Sequence, residues 1–268
     1  MEETKDMTTP YLSVIIPAYN EEKRIGKTLD AVYAYLSAQP FTWELLVVLD
    51  GVTDNTLAVV KTFAAGKEGI RWIDRPENMG KGYTVRQGML AALGQIRLFT
   101  DADNSTDMVH FDKMKPLFDQ GADVVIASRD HKDAPDAQQA IPQPFFKRLL
   151  GNAGNLVVQA VAVPGIWDTQ CGFKAFRAMA AEEIFSVARI NGWGFDMEAL
   201  ALARHFGYQV EVIGAYWVDE PNTHVETLDY FRSLGEAFKV RWNLLARVYE
   251  RPSDASADTQ PSEVQPKI

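Results

Sequence analysis

Cysteine is nearly absent: Cys171 is the one cysteine among 268 residues. No disulfide can form within the chain, and a reducing compartment suits it. Basic charge is also short, with 27 Lys and Arg against 36 Asp and Glu and a formal charge of -9. That balance opposes a broad phosphate-binding surface and argues against nucleic acid as a partner, so any basic site is local. Long apolar runs are missing as well. The longest, Leu156 to Trp167, is broken by Gln159 and Pro164 and falls short of the ~20 residues that a membrane span needs. Residues 1–10 are polar and acidic, without the basic start and apolar stretch of a secretory leader. They read as a flexible N-terminus, and a cytoplasmic location is expected. What remains is a globular composition, 47% apolar and 24% charged, with length enough for a substantial core.

From Tyr11 to Arg129, apolar runs alternate with helix-like segments: Leu12–Pro17, Glu44–Asp50, Ile70–Ile73, Ile96–Thr100 and Asp123–Ala127 read as strands. Continuous Val/Ile/Leu runs suit strands buried on both faces, and the alternation predicts an open α/β fold with a mainly parallel twisted sheet flanked by helices. Ligands bind such sheets beyond the C-terminal ends of strands. Three polar clusters stand there: Pro17-Ala18-Tyr19-Asn20-Glu21, Asp50-Gly51-Val52-Thr53-Asp54 and Asp101-Ala102-Asp103. A long polar loop follows over His131 to Pro144, then a helix over Phe145 to Val163, a loop and strand over Asp168 to Arg177, helices near Ala178–Val187 and Phe195–Phe206, and a strand over Gln209–Ile213. The division expected is one domain over residues 11–225, an amphipathic helix over 226–250, and a Pro-, Ser- and Asp-rich disordered tail over 251–268.

The sharpest chemical signal is Asp101-Ala102-Asp103 after an apolar strand. Two hard oxygen ligands at a strand end suit Mg²⁺ or Mn²⁺, which is typically held by one or two carboxylates plus substrate phosphates. An acidic turn accommodates the same residues, since Asp and Asn are ordinary turn formers. At the first rim, Tyr19 and Asn20 offer a base or ribose an aromatic face and an amide, while Glu21 suits the first turn of a helix. Asp50 could accept hydrogen bonds from a nucleotide base. In Gly80-Lys81-Gly82, glycines let the backbone approach a ligand and a lysine beside a helix N-terminus favours phosphate. The P-loop and G-x-G-x-x-G patterns are both absent, which removes those nucleotide sites.

In this order the four clusters resemble glycosyltransferase family 2, a GT-A fold, over residues 11 to about 218. Ser128-Arg129, Asp168-Thr169-Gln170-Cys171-Gly172-Phe173-Lys174 and Gly192-Trp193-Gly194-Phe195-Asp196-Met197-Glu198 narrow the resemblance to the dolichyl-phosphate (polyprenyl-phosphate) β-glucosyltransferase branch. It implies an inverting transfer of a hexose, glucose from UDP-glucose, to a lipid phosphate. It further implies that Pro17, Ala18, Tyr19, Asn20, Glu21 and Asp50 bind the nucleoside, that Lys81 lies near the donor, and that Asp101, Ala102 and Asp103 serve the diphosphate. Asp101 and Asp103 are the implied ligands of Mg²⁺ or Mn²⁺, with Arg129, Gln170 and Trp193 on the acceptor side. Two departures stand out: Leu49 and Val52 replace an acid and a serine beside Asp50, and Asp103 is followed by Asn104-Ser105.

A phosphate-monoester acceptor is already ionised near neutral pH, its second pKa being about 6, so a strong base is unnecessary. Where a hydroxyl is the acceptor instead, on a soluble glycoside or a polysaccharide, Asp196 or Glu198 is the candidate base. A sugar-nucleotide-binding module without turnover is the alternative of another class. Arg129 is expected to offer its fork to the acceptor phosphate, or else to form a surface ion pair with Asp130 or Asp133. From Leu228 to Tyr249 an apolar stripe of Leu228, Phe231, Leu234, Phe238, Trp242, Leu245 and Tyr249 runs beside Arg232, Lys239, Arg241, Arg247 and Arg251. Such a stripe suits peripheral contact with a headgroup layer, packing on its own domain, or contact with a second subunit in a homo-oligomer.

Overall fold

The computed structural model describes residues 9–139, 154–218 and 227–251. The expectations for the flexible N-terminus over residues 1–8, for a helix over residues 145–153 and for a disordered tail over residues 252–268 lie outside them. In chain order the strands are β1 (Leu12–Ala18), β2 (Trp43–Asp50), β3 (Ile70–Arg75), β4 (Ile96–Thr100), β5 (Val124–Ser128), β6 (Gln138–Gln139), β7 (Phe173–Arg177), β8 (Val210–Gly214) and β9 (Tyr216–Trp217). The helices are α1 (Ile25–Ser37), α2 (Thr56–Ala64), α3 (Lys81–Ala91), α4 (Phe111–Asp119), the described part of α5 (residues 154–161), α6 (Ala178–Val187), α7 (Phe195–His205) and α8 (Thr227–Leu245).

Seven strands form one sheet in the order β3-β2-β1-β4-β7-β5-β8, and β6 and β9 pair apart from it. All neighbours in the large sheet run parallel except β7, which lies antiparallel between β4 and β5. The mainly parallel sheet is the one the strand-helix alternation predicts, whereas the reversed strand at its middle leaves no mark in that alternation.

The continuous apolar runs are explained by burial on both faces. Along β1 and β2, Leu12, Val14, Ile16, Leu45, Val47 and Leu49 enter one core with α1, α2 and α4. Ile15, Leu46 and Val48 enter the other, with α3, α6, α7 and α8. The period-2 alternation of a strand here divides residues between two cores rather than between core and water. With both faces covered, the C-terminal strand ends are the place where polar groups stay accessible. Strand bounds agree with the sequence reading to within a residue or two, and β3 runs on to Arg75.

Candidate active site

The ends of β1, β2 and β4 meet at a cleft of about 370 Å³, lined at one end by Pro17, Ala18, Tyr19, Glu21 and Asp50 and at the other by Lys81, Asp101, Ala102, Asp103 and Trp193. Asn20 is the exception among the rim residues. It takes a left-handed backbone (φ 54°), and its side chain ties two loops, accepting from the Thr53 N–H at 2.8 Å. It does not line the cleft, so the amide expected to meet a nucleoside instead fixes the loop that carries Tyr19. Glu21 is held by Arg24 through two hydrogen bonds of 2.8 and 2.7 Å.

Asp50 is only 3% exposed. Its two oxygens accept the Met79 and Gly80 N–H groups at 2.9 and 3.0 Å, and Arg75 lies 3.1 Å from Oδ1. Most of its acceptor capacity therefore organises the loop before α3, with little left for a base. The glycines of that loop are also explained differently from the sequence reading. A Cβ on Gly80 would stand 2.5 Å from the Asn191 carbonyl, and one on Gly82 2.6 Å from that of Ile190. The glycines admit the Ile190–Phe195 segment, whose Trp193 stands beside Lys81 in the cleft.

Asp101 is packed over Gly172, where an added Cβ would fall 2.0 Å from Oδ2. Its other oxygen, Oδ1, lies 2.7 Å from Lys81 Nζ, an ion-pair distance at an angle that leaves this buried oxygen without a hydrogen bond. Asp103 Oδ1 accepts the Ser105 N–H at 3.0 Å. Asn104 between them adopts φ 55°, a conformation that asparagine tolerates almost as glycine does. Burial opposes the Lys81 charge, but Asp101, Asp196 and Asp103 outweigh it and hold its pKa above the ordinary lysine value. Gly172→Ala should lower turnover about 100-fold, the effect of displacing a reacting group by about 1 Å. A transfer assay beside a circular dichroism spectrum checks this.

A second cavity of about 240 Å³ adjoins the first and shares Lys81, Asp101, Asp103 and Trp193 with it. Its far wall holds Arg129, Gln170, Asp196, Trp217 and Ser233. Arg129 pairs neither with Asp130 nor with Asp133. Its Nε and Nη2 donate to Asp168 at 2.7 and 2.8 Å, and its backbone N–H donates to the same carboxylate. One edge of the fork is thus spent within the protein, and the Nη1 side remains for a ligand. Burial alone would raise the Asp168 pKa, but the Arg129 charge and hydrogen bonds hold it below the usual value of 3.8. A folded pKa below the unfolded one means that this stabilisation is complete above pH 3.8 and lost as the pH falls through the folded value. Urea titrations in acid should show that loss, and Asp168→Asn should remove it.

Gln170 Nε2 donates to Ser233 Oγ of α8 at 2.8 Å, and the Trp193 ring lies 5.0 Å from Lys81 Nζ. The Gly194 N–H donates to Glu236 of α8 at 2.6 Å, fixing the turn that carries Trp193. Asp196, 4% exposed, pairs with the fully buried Lys174 at 2.5 Å. Burial raises its pKa, against the pull of Lys174 and Lys81. Glu198, the other candidate base, lines neither cavity. It accepts the Arg189 and Ile190 N–H groups and the Tyr249 hydroxyl and so supports the segment against Gly80 and Gly82.

The sequence reading assigned no role to Asp168, Gly172 or Lys174, although they stand in a quoted motif, and it missed Trp217, Ser233 and Glu236. Trp217 lies 5.2 Å over Arg129 on β9, whose Tyr216 N–H donates to His110 Nε2. No local pattern marks such a residue.

Among the described residues no group of three or more His, Cys, Asp or Glu side chains could hold a metal. Asp101 and Asp103 nevertheless fit Mg²⁺ or Mn²⁺. They offer hard oxygens at a strand end, and Asp101 Oδ1 is buried without a hydrogen bond. Two carboxylates completed by substrate oxygens is a common arrangement for these ions.

The pattern of Glycosyl transferase family 2 matches residues 13–185. A dolichyl-phosphate beta-glucosyltransferase of Trichomonas vaginalis is 36% identical over 217 residues, which cover 77% of this chain and 64% of that one. One of Drosophila melanogaster is 36% identical over 229 residues, covering 80% and 69%. The chain therefore spans about two thirds of the length of these relatives. A crystal structure of glucosyl-3-phosphoglycerate synthase from Mycobacterium tuberculosis with Mn²⁺, UDP and phosphoglyceric acid superposes with a TM-score of 0.60 at 20% identity, covering 89% of this chain and 78% of that one. That likeness establishes the fold. The chain belongs to glycosyltransferase family 2, in the branch it shares with the dolichyl-phosphate beta-glucosyltransferases.

Proposed function

We propose that the protein transfers a hexose, glucose from UDP-glucose, with inversion to a polyprenyl or dolichyl phosphate at the cytosolic face of a membrane. The observation that carries this reading is the meeting of two cavities at Lys81, Asp101, Asp103 and Trp193. A donor in the first would place its diphosphate at the junction, with its nucleoside toward Tyr19 and Asp50. An acceptor in the second would approach from the Arg129 side. Inverting displacement requires this opposition of attacking and leaving groups, and positioning supplies much of the rate. A divalent cation between Asp101 and Asp103 would neutralise charge on the departing nucleotide. Lys81 supplies a positive charge beside the same group, and the Nη1 side of Arg129 faces the acceptor phosphate.

The relatives' names support a dolichyl-phosphate acceptor, and α8 supports delivery from a bilayer. Among the described residues no helix is long and apolar enough to cross a membrane. On α8, however, Phe238, Trp242 and Leu245 are 56%, 70% and 66% exposed, beside exposed Lys239, Arg241 and Arg247. The stripe seen in the sequence is thus split. Tyr249 turns inward and Leu234 is partly buried, while Phe238, Trp242 and Leu245 face out next to basic residues, as in helices that lie in headgroup layers; the side chains of Leu228 and Phe231 lie outside those described. Trp242→Glu should reduce sedimentation with anionic vesicles about tenfold while leaving thermal unfolding unchanged.

Asp196 favours a second reading, in which a soluble hydroxyl acceptor gives up its proton to this carboxylate. A pH-rate profile with a single acidic limb at a raised carboxylate pKa would support it. The deciding assay offers UDP-glucose, UDP-galactose and GDP-mannose with a divalent metal, with and without a polyprenyl phosphate. Lipid-dependent formation of a glycolipid from UDP-glucose is expected, and nucleotide release that ignores the lipid would overturn the acceptor assignment.

A further inference from the structure

The ammonium of Lys81 covers one oxygen of Asp101. Oδ1 carries Lys81 Nζ at 2.7 Å and is buried beneath it without a hydrogen bond. We propose that Lys81 holds the place of the divalent cation in the donor-free protein, and that the diphosphate of an incoming donor draws the ammonium aside and opens Asp101 to the cation. The inference rests on the nucleotide-sugar reading of the site.

Three features support it. An ammonium and a dication cannot both contact Oδ1 without strong repulsion, because the junction is partly desolvated and unlike water screens charge poorly. Lys81 has an alternative position, since a lysine is a point charge on four rotatable bonds and the Trp193 ring lies 5.0 Å away, a face along which the ammonium can move. The loop that carries it stays fixed meanwhile, because Gly80 accepts no side chain against Asn191 and its N–H is held by Asp50. Nucleotide and cation then bind interdependently: the nucleotide strengthens the cation by removing its competitor, and the cation strengthens the nucleotide by the same factor.

Mn²⁺ binding to the whole protein, read from the electron paramagnetic resonance of free Mn²⁺ with and without UDP, tests this. Lys81→Met should bind Mn²⁺ about tenfold more tightly than the native protein without UDP, the size of one partly buried ion pair. The enhancement that UDP produces should shrink by the same factor. Lys81→Arg, which keeps the charge, should follow the native protein. Lys81→Gln replaces Lys81→Met if the latter does not fold. An affinity within twofold of native for the neutral variant, or equal gains for the neutral and arginine variants, would overturn the inference. If the native protein takes up Mn²⁺ with UDP in either of those cases, only the place-holding role falls. If it takes up none even with UDP, the donor reading falls with it.

Discussion

Asp101→Asn should lower turnover by roughly 1,000-fold or more, with thermal unfolding close to that of the native protein. The substitution keeps the shape of the side chain, and Gly172 leaves the same space for it. It changes charge alone. Asparagine offers one neutral acceptor where the carboxylate offers two charged ones, so a cation at this site would lose a ligand, and Lys81 loses its partner at 2.7 Å. Asp103→Asn should be milder, because one of its oxygens already serves the Ser105 N–H. Single-turnover transfer with saturating UDP-glucose, with uptake of Mn²⁺ measured in parallel, checks both. An Asp101→Asn enzyme with more than a tenth of native turnover would remove this aspartate from the reaction.

Lys174→Met should be the most destabilising of the substitutions considered, by about 3–5 kcal/mol, the range seen when one member of a buried pair is removed. The ammonium is 0% exposed and donates to both the Cys171 carbonyl and Asp196 at 2.5 Å. Without it, a carboxylate and a carbonyl are left buried and unsatisfied, and desolvation that is now partly offset acts fully on Asp196. The folded pKa of Asp196, already above 3.8 in the native protein, rises further in the variant. Because the folded value exceeds the unfolded one, the penalty is greatest at neutral pH and shrinks as the acid takes up a proton. Urea unfolding of native and variant protein at neutral pH and in mild acid should show the difference narrowing in acid. Adding Asp196→Leu to Lys174→Met should restore part of the lost stability without restoring transfer, since the wall of the second cavity is then changed.

The reach of the sequence is visible in particular residues. Strands buried on both faces announce themselves as Val/Ile/Leu runs, so β1, β2 and β4 and the acids at their ends could be placed from composition and period alone. What could not be placed depends on partners distant in the chain. Asn20 reads as a ligand-facing amide until Thr53 is seen to claim it. The glycines beside Lys81 read as room for a phosphate until Ile190 and Asn191 fill that room. Arg129 reads as a free fork until Asp168, 39 residues away, takes one edge. The helical period of α8 gave its stripe but not which part faces outward, because the neighbouring α7 is chosen by tertiary packing. Asp101, Asp103 and Asp196 all line the second cavity, while Glu198 serves the scaffold.

The reversed strand β7 constrains how the molecule is made. It lies between β4 and β5, so β5 has no neighbour on that side until Phe173–Arg177 has been synthesised. On the ribosome the first four strands emerge in time to pair with one another, as their register requires. β5, ending at Ser128, then waits for about 45 further residues, several seconds at common rates of elongation. Gly172, the seat of Asp101, arrives with the same strand. The nascent chain thus holds a half-sheet of β3, β2, β1 and β4 with an open edge, and Asp101 gains its support only when the sheet closes.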